Sequence, residues 1–346
     1  MSDKPITLKY IAEQLGVSIV TVSKALRSHP DISVKTSKKV REFADKLGYT
    51  PNLLARGLSG RRSNTIGVVV PKIAHFFFGS IIEHIYDIAF ENNYEIILTV
   101  SQENAEREKK HIQSFLSMKV DGIIISLSQE TEDYEIFETI KRRNIPLVFM
   151  DRIPDIKGVN TVSVNDRMGA YKAVDHAIKI GYKKIAHFAG YESINIGSER
   201  CAGFKNAMKD NGLKVKKDWV VRGGFGEQYG YSALTELHKD NNLPDLIFTV
   251  TYPVALGVYH AAVDLNLRIP EDIDVICFGN AKVQKFLSPP LSCVDQPTDL
   301  LARHSMDILL QNIYSEDGVP LRNEIIESDL ILRGTCIAFK DNKNGN

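Results

Sequence analysis

Beyond residue 64 the chain alternates short runs of aliphatic and β-branched residues with longer stretches of helical period, and this alternation constrains the fold most. The runs cover residues 65–70, 95–100, 122–126, 146–150, 184–189, 246–250 and 273–278. Because strands separated by helices pair in parallel, the pattern predicts an α/β fold with helices on both faces of parallel sheets. About 280 residues exceed what one such sheet usually needs, so we expect two lobes with a ligand crevice between them.

The bulk composition limits the class of protein. With 346 residues, 43% hydrophobic and 25% charged, the chain has the composition of a multidomain globular protein. No apolar run approaches the roughly 20 residues of a membrane span, and residues 1–5 lack the layout of a secretory signal. We therefore expect a cytoplasmic protein. Its four scattered cysteines form no CxxC pair and have no histidines at metal spacing, so we expect no disulfide framework, zinc site or other cofactor.

The formal net charge of zero hides a segregation of charge along the chain. Residues 1–62 contain twelve Lys and Arg but five Asp and Glu, which leaves 31 basic and 38 acidic residues in the remainder. A cationic end on an anionic body suggests a nucleic-acid-binding arm, although a basic helical face is often only a solvated one.

Three short helical patterns fill the first fifty residues. The first covers residues 8–15 behind Thr7, which can cap a helix N-terminus. Gly16 allows a turn, and Ser18 can cap a second helix over residues 19–26. The pattern is that of two helices joined by a tight turn.

The second helix has an unusual outer surface. Ile19 and Val20 lie away from its core positions, where a soluble helix normally carries polar residues, and they are suited to contact thymine methyl groups in a major groove. A third helix from Ser33 completes a small core and carries basic residues, namely Lys35, Lys38, Lys39 and Arg41. An ordinary three-helix bundle remains an equally good interpretation of the pattern alone.

Four motifs match the headpiece of one family in order and spacing. They are Thr7 to Ala12, Gly16-Val17-Ser18, Thr21-Val22-Ser23, and Leu47 to Asn52 with Ala55-Arg56. On these motifs the segment resembles the headpiece of the LacI/GalR (lactose-repressor-type) transcription regulators. The resemblance implies that Ile19, Val20 and Lys24 read bases. It also implies that further residues contact DNA, mainly its phosphates: Thr7, Leu8, Ser18, Thr21, Ser23, Ser33, Thr36, Tyr49, Asn52 and Ala55.

Residues 51–58 resemble the hinge helix of that family, which is too short to be stable alone and folds when paired with its twin on DNA. Leu58 matches the side chain that enters the minor groove at the operator centre and kinks the duplex. The alternative for Leu58 is a linker leucine that packs on the body of the chain. Gly57 departs from the pattern, because glycine costs a helix roughly 1 kcal/mol relative to alanine.

The resemblance extends over the remainder of the chain, which is similar to the family's sensor domain and to periplasmic sugar-binding proteins. It implies a headpiece over residues 1–50, a hinge and linker over 51–63, and an effector-binding and dimerisation domain over 64–340. Three crossovers then divide that domain. Lobe one takes about 64–161 and 293–323, and lobe two takes about 162–291 and 324–340, with the last strand near 325–332.

Eight residues are expected to bind the effector: Phe77, Phe78, Asp151, Arg200, Phe225, Thr251, Asn280 and Gln296. Three adjacent aromatic residues at 76–78 cannot all face a helix core, so at least one should reach the crevice. Arg200 matches the arginine that clamps the effector in the family, and a guanidinium can hold two ligand oxygens. Each has a structural alternative: Asp151 could cap a turn, Arg200 could be an exposed helix residue, and Phe225 and Gln296 could serve packing.

Two departures concern the ligand. Thr251-Tyr252 and Cys277-Phe278-Gly279-Asn280 stand where many members carry acidic acceptors for sugar hydroxyls. A carbohydrate or a derivative remains the expected effector.

Two other classes of protein share this α/β pattern. A doubly wound enzyme is disfavoured because residues 75–79, after the first strand, form no glycine-rich phosphate loop and no catalytic spacing is evident. A free-standing solute-binding protein would need a signal peptide and no headpiece. We therefore expect a homodimeric regulator of a near-palindromic operator, controlled by a small molecule. Repression is the default, whereas activation and a corepressor mode stay open.

Overall fold

The structure is a computed structural model that describes residues 6–26, 29–49, 62–74, 76–315 and 318–339. The chain forms two compact units, with the boundary between residues 61 and 62. Arg62 and Ser63, which we expected in a linker, already belong to the larger unit. Arg62 Nη2 donates to the carbonyl of Ile313, and Ser63 N donates to the Asp121 carboxylate.

The smaller unit contains three helices: α1 (Leu8–Leu15), α2 (Ile19–Leu26) and α3 (Val34–Lys46). The predicted caps at Thr7 and Ser18 are confirmed, because each hydroxyl accepts a hydrogen bond from the backbone N–H three residues later. Ser33, which was expected to begin the third helix, caps α3 in the same way. The turn after α1 places Gly16 at φ +66°, a conformation that glycine adopts without steric cost. Apolar side chains from all three helices form the core of this unit, as the spacing predicted.

The larger unit begins with β1 (Thr65–Val70), α4 (Phe76–Glu91), β2 (Glu95–Val100), α5 (Ala105–Met118), β3 (Gly122–Ile125), α6 (Glu135–Arg142), β4 (Leu147–Met150) and β5 (Asn160–Val164). It continues with α7 (Asp166–Lys179), β6 (Ile185–Ala189), α8 (Asn195–Asp210), β7 (Val220–Arg222), α9 (Glu227–Lys239), β8 (Leu246–Thr249), α10 (Tyr252–Asp264), β9 (Asp274–Phe278) and β10 (Ser292–Val294). It ends with α11 (Thr298–Tyr314), β11 (Asn323–Ile326) and β12 (Leu330–Ile331).

Two sheets organise the described part of this unit. The first has the order β11-β5-β4-β3-β1-β2 and is parallel throughout. The second has the order β12-β10-β9-β8-β6-β7, with only β12 antiparallel. The α/β fold with parallel sheets is thus confirmed. Central strands such as β1 and β9 are buried along their whole length, which explains their nearly continuous apolar sequence.

The crossovers between the sheets lie later than the sequence suggested. The first follows Val164 rather than residue 161, because β5 pairs with β4. The second follows Val294 rather than residue 291, because β10 pairs with β9. The single strand expected near 325–332 is two strands, β11 on the first sheet and β12 on the second. Hydrogen bonds between the backbones of neighbouring strands decide these boundaries. The spacing of apolar side chains along the sequence does not reveal which strands are paired.

Both sheets reverse their winding direction near the middle, between β1 and β3 in the first and between β6 and β8 in the second. At such a switch point the chain leaves neighbouring strands in opposite directions, which opens a crevice at the carboxyl ends of the strands. The loops after β1, β4, β8, β9 and β10 all start at these ends, so side chains distant in sequence meet there. None of the described helices is long and apolar enough to cross a membrane.

Candidate functional site

The outer side of α2 exposes two apolar residues in the small unit. Ile19 retains 47% of its accessible surface and Val20 63%, whereas Val22 and Ala25 on the same helix are fully buried. An apolar pair in water at the start of a helix is unfavourable unless a partner covers it. The structure therefore places the two expected base-reading side chains where a DNA groove can reach them.

Pairs of hydroxyl groups lie at the starts of α2 and α3. Ser18 and Thr21 are hydrogen-bonded to each other at 2.9 Å, and Ser33 and Thr36 form an equivalent pair at the start of α3. A hydroxyl group that caps a helix uses only part of its hydrogen-bonding capacity, so it can also bond to a phosphate oxygen.

The third expected base-reading residue has a different environment. Lys24 Nζ lies 2.5 Å from the Asp31 carboxylate, in an ion pair of partly exposed side chains. A base contact by Lys24 requires exchange of that partner, so its contribution is smaller than that of a lysine without one.

The other expected DNA contacts in the small unit divide between surface and core. Thr7 is exposed, Ser23 is partly buried, and Leu8 and Tyr49 pack against the core with part of their surface exposed. Burial raises the pKa of the Tyr49 hydroxyl. Asn52, Ala55 and Leu58, together with the predicted hinge helix, lie outside the described residues.

A cavity of about 390 Å³ lies in the larger unit, at the carboxyl ends of the strands. All eight residues expected to bind an effector line it: Phe77, Phe78, Asp151, Arg200, Phe225, Thr251, Asn280 and Gln296. The structure thereby brings together side chains from both sheets that are up to 219 positions apart (77 to 296). Other residues that line the cavity were not predicted to do so, among them Arg152, Glu227, Tyr252 and Phe278.

Arg200 is fully buried, so the interpretation as an exposed helix arginine is wrong. Its Nε donates to Asp166 Oδ1 at 2.7 Å, and its Nη1 donates to the Val250 carbonyl at 2.6 Å. The guanidinium carbon lies 3.7 Å from the centre of the Phe278 ring. Nη2 is buried and has no hydrogen-bond partner, although it is 2.7 Å from Asp166 Oδ1. Nη2 is shielded from solvent as well as paired with Asp166, so a ligand acceptor reaches it only after a shift of the cavity wall.

Asp151 follows β4 and supplies the carboxylate of the cavity. It is 3% exposed, and none of the described residues donates a hydrogen bond to its carboxylate. Burial raises its pKa to about 7, against the opposing effect of the neighbouring Arg152 and Arg200. Both protonation states are therefore populated near neutral pH, and a ligand that donates a hydrogen bond would favour the ionised form.

Arg152 is the most informative residue that we missed. Its Nη1 donates to Glu103 Oε2 at 2.7 Å in a buried ion pair, while its Nε has no partner. Its guanidinium lies 5.1 Å from the centre of the Phe225 ring, which belongs to the opposite lobe. Its position in the sequence, directly after Asp151 at the end of a strand, could have identified it as a residue of the cavity.

Aromatic rings cover the rest of the wall. The residues at 76–78 begin α4, and all three line the cavity, Phe76 with 48% of its surface exposed and Phe78 almost buried. Tyr252, at the first position of α10, also lines the cavity. Such rings favour a ligand with an apolar face.

The polar groups of lobe two complete the site. Thr251 donates its hydroxyl proton to the Phe225 carbonyl, and Asn280 accepts from Arg333, so each keeps further capacity for a ligand. Gln296 is 9% exposed at the start of the crossover to α11. Glu227, at the N-terminus of α9, supplies a second carboxylate in a part of the pocket where the sequence had indicated a loss of acidic acceptors.

Among the described residues no cluster of His, Cys, Asp and Glu could hold a metal ion.

Comparison with known proteins gives two family matches. Residues 63–334 match the family described as periplasmic binding proteins and sugar binding domain of LacI family, and residues 7–52 match bacterial regulatory proteins, lacI family. The chain is 32% identical to catabolite control protein A of Priestia megaterium, over 90% of this chain and 93% of that protein. It is 30% identical to the HTH-type transcriptional repressor PurR of Pasteurella multocida, over 89% and 92%.

A solved structure shows the same arrangement of elements. The lac repressor dimer bound to operator and the anti-inducer ONPF superposes with a TM-score of 0.83 at 25% identity, over 97% of this chain and all of that chain.

Proposed function

The chain belongs to the LacI family of bacterial regulatory proteins, and we propose that it is a cytoplasmic repressor that binds a near-palindromic operator as a homodimer under control of a small molecule. Its relatives named above are transcription regulators, and we propose no catalytic step for it. The observation that carries the proposal is the exposed apolar pair Ile19 and Val20 on α2, in a unit whose other apolar residues, apart from Tyr10 and Val34, are buried or pack against its core.

A homodimer is supported by exposed apolar side chains in the larger unit. On α4, Phe90 retains 85% of its surface and Tyr86, one turn earlier, 43%. Two aromatic rings on one helical face form a patch that association would cover. A dimer presents two recognition helices, and a twofold protein requires a site with twofold symmetry.

The cavity supports control by a carbohydrate or a derivative. The guanidinium groups of Arg200 and Arg152 on the cavity wall favour acceptors, the Asp151 carboxylate favours donors, and the aromatic rings favour an apolar face. A sugar hydroxyl both donates and accepts, and the C–H face of a pyranose is apolar, so one such ring can satisfy all three demands. Coupling between effector and operator is reciprocal and typically amounts to about 1–3 kcal/mol.

The DNA-binding part is tested by selecting sites from a random duplex library and measuring affinity by fluorescence anisotropy. We expect a near-palindromic consensus and a loss of about tenfold in specific affinity for Val20→Ala, because two methyl groups lose their contact. Val34→Ala is the matched control, since Val34 is 86% exposed in the same unit and is not expected to read bases. Equal losses in both variants, or an asymmetric consensus bound by a monomer, would contradict the proposal.

The effector part is tested by a thermal-shift screen of the whole chain against sugars, sugar phosphates and nucleobases, because a ligand of the native state raises the melting temperature. For any hit, Phe76→Ala should weaken binding about tenfold through lost ring contact. Phe90→Ala should leave the affinity unchanged, since Phe90 lies on the same helix but outside the cavity. A nucleobase as the only hit would refute the carbohydrate assignment, and no hit at all would count against the effector site.

A further inference from the structure

One side chain connects the two lobes next to residues that line the cavity. Asn195, the first residue of α8 in lobe two, donates from Nδ2 to the carbonyl of Asp151 at 3.0 Å. Its Oδ1 accepts from the backbone N–H of Ile153 at 3.1 Å. Both atoms of the amide therefore hold backbone groups of lobe one, on either side of Arg152.

The segment that Asn195 holds is a strained turn. Asp151 has φ +65°, and Arg152 N donates to the carbonyl of Met150 at 2.8 Å, which closes a three-residue turn around Asp151. A left-handed conformation is uncommon for aspartate and persists only where surrounding contacts hold it. The turn places Asp151 and Arg152 on the wall of the cavity.

The same helix also carries cavity residues of its own. Ile196 and Arg200 line the cavity from α8, directly after Asn195 in the chain. Contact between Asn195 and the turn after β4 therefore fixes the lining residues of lobe one relative to those of lobe two. When the lobes separate, both hydrogen bonds must break and the turn loses the contacts that hold it.

We propose that Asn195 is a latch that holds the cavity closed and positions Asp151 and Arg152 for the effector, without being a binding residue itself. Its amide makes two hydrogen bonds that exist only when the lobes are closed, so it sets the ratio of closed to open forms. This proposal rests on the proposed function in one respect, namely that an effector acts by controlling closure of this cavity.

The test measures the distance between the lobes in the whole protein without DNA or effector. Spin labels are attached at Lys110→Cys on α5 and Lys239→Cys on α9, both exposed positions, while the four native cysteines are buried. Double electron–electron resonance then reports the distribution of distances. We expect Asn195→Ala to lower the ratio of closed to open forms by roughly tenfold, the effect of losing two modest hydrogen bonds, and to broaden the distribution towards longer distances.

Asn211→Ala is the matched control. Asn211 caps the other end of α8, and its Nδ2 donates to Asp175 Oδ1 and to the Ala207 carbonyl, both within lobe two. Its loss should leave the distances between lobes unchanged. If Asn195→Ala does not fold, Asn195→Asp serves instead, because it replaces the donor to the Asp151 carbonyl by a carboxylate oxygen.

A wild-type distance distribution in the Asn195 variant that folds would overturn the latch. So would an equal shift in Asn211→Ala, which would show that any loss of an amide from α8 loosens the lobes. A failed effector screen would refute the proposed function and leave the distance measurement to decide the latch separately.

Discussion

The buried pair of Arg200 and Asp166 allows a quantitative prediction about the stability of the larger unit. The side chains are 1% and 3% exposed and meet at 2.7 Å. Removal of one partner leaves the other charge buried without compensation, which costs about 3–5 kcal/mol. We therefore expect Arg200→Ala to lose about that amount at pH 7, a large part of the total stability of a typical domain.

The loss should depend on pH in a defined direction. Burial raises the pKa of Asp166, and Arg200 opposes that rise. Without Arg200 the folded-state pKa is higher still, so the folded protein binds a proton more readily than the unfolded one. Stability of Arg200→Ala therefore falls as pH rises through that pKa, and it recovers towards acid pH, where Asp166 is neutral.

Urea unfolding followed by circular dichroism over a range of pH values measures both effects. A double-mutant cycle with Asp166→Asn and Arg200→Met isolates the interaction between the two residues. The double variant should be within about 2 kcal/mol of the wild type, because neither position 166 nor position 200 then carries a buried charge. A loss below about 1 kcal/mol in Arg200→Ala, or a loss that does not change with pH, would refute the reasoning.

Three further predictions concern single side chains elsewhere. Because burial raises the pKa of Asp151 to about 7, this residue should lower the free energy of unfolding as pH rises from about 4 to 7, by up to about 1.4 kcal/mol per pH unit, and Asp151→Asn should reduce the pH slope in urea titrations. Phe90→Asp should convert the proposed dimer to a monomer in analytical ultracentrifugation, because it places a charge in an apolar contact. Leu58→Ala should lower specific affinity and DNA bending in a fluorescence-transfer assay and leave salt-dependent non-specific binding intact.

Each of these predictions has a control and a contrary outcome. Asp155→Asn, at an exposed position, should keep the pH slope, and an unchanged slope in Asp151→Asn would exclude Asp151 as its source. Met118→Asp, on α5, should leave the dimer intact, and a dimeric Phe90→Asp would move the interface elsewhere. Unchanged bending in Leu58→Ala would favour the packing alternative for that leucine.

The sequence by itself determined the class of fold, the three helices of the small unit and seven strands of the larger unit, whereas β5, β7 and β10 were not among the predicted runs. The spacing of apolar residues and the caps at Thr7, Ser18 and Ser33 depend on neighbours within four positions, so the helices of the small unit followed from local pattern. The continuous apolar runs of β1 and β9 likewise indicate strands that are buried on both faces.

Only the tertiary structure decided the lobe boundaries and the polar groups of the cavity. Whether residues 162–164 belong to lobe one depends on hydrogen bonds between β5 and β4, which leave no period in the side chains. The hydrogen bond from Arg200 to the Val250 carbonyl and the latch at Asn195 depend on backbone atoms that lie 50 and 44 positions away in the chain. Composition and spacing report local periodicity, whereas such contacts between distant segments exist only once both sheets have formed.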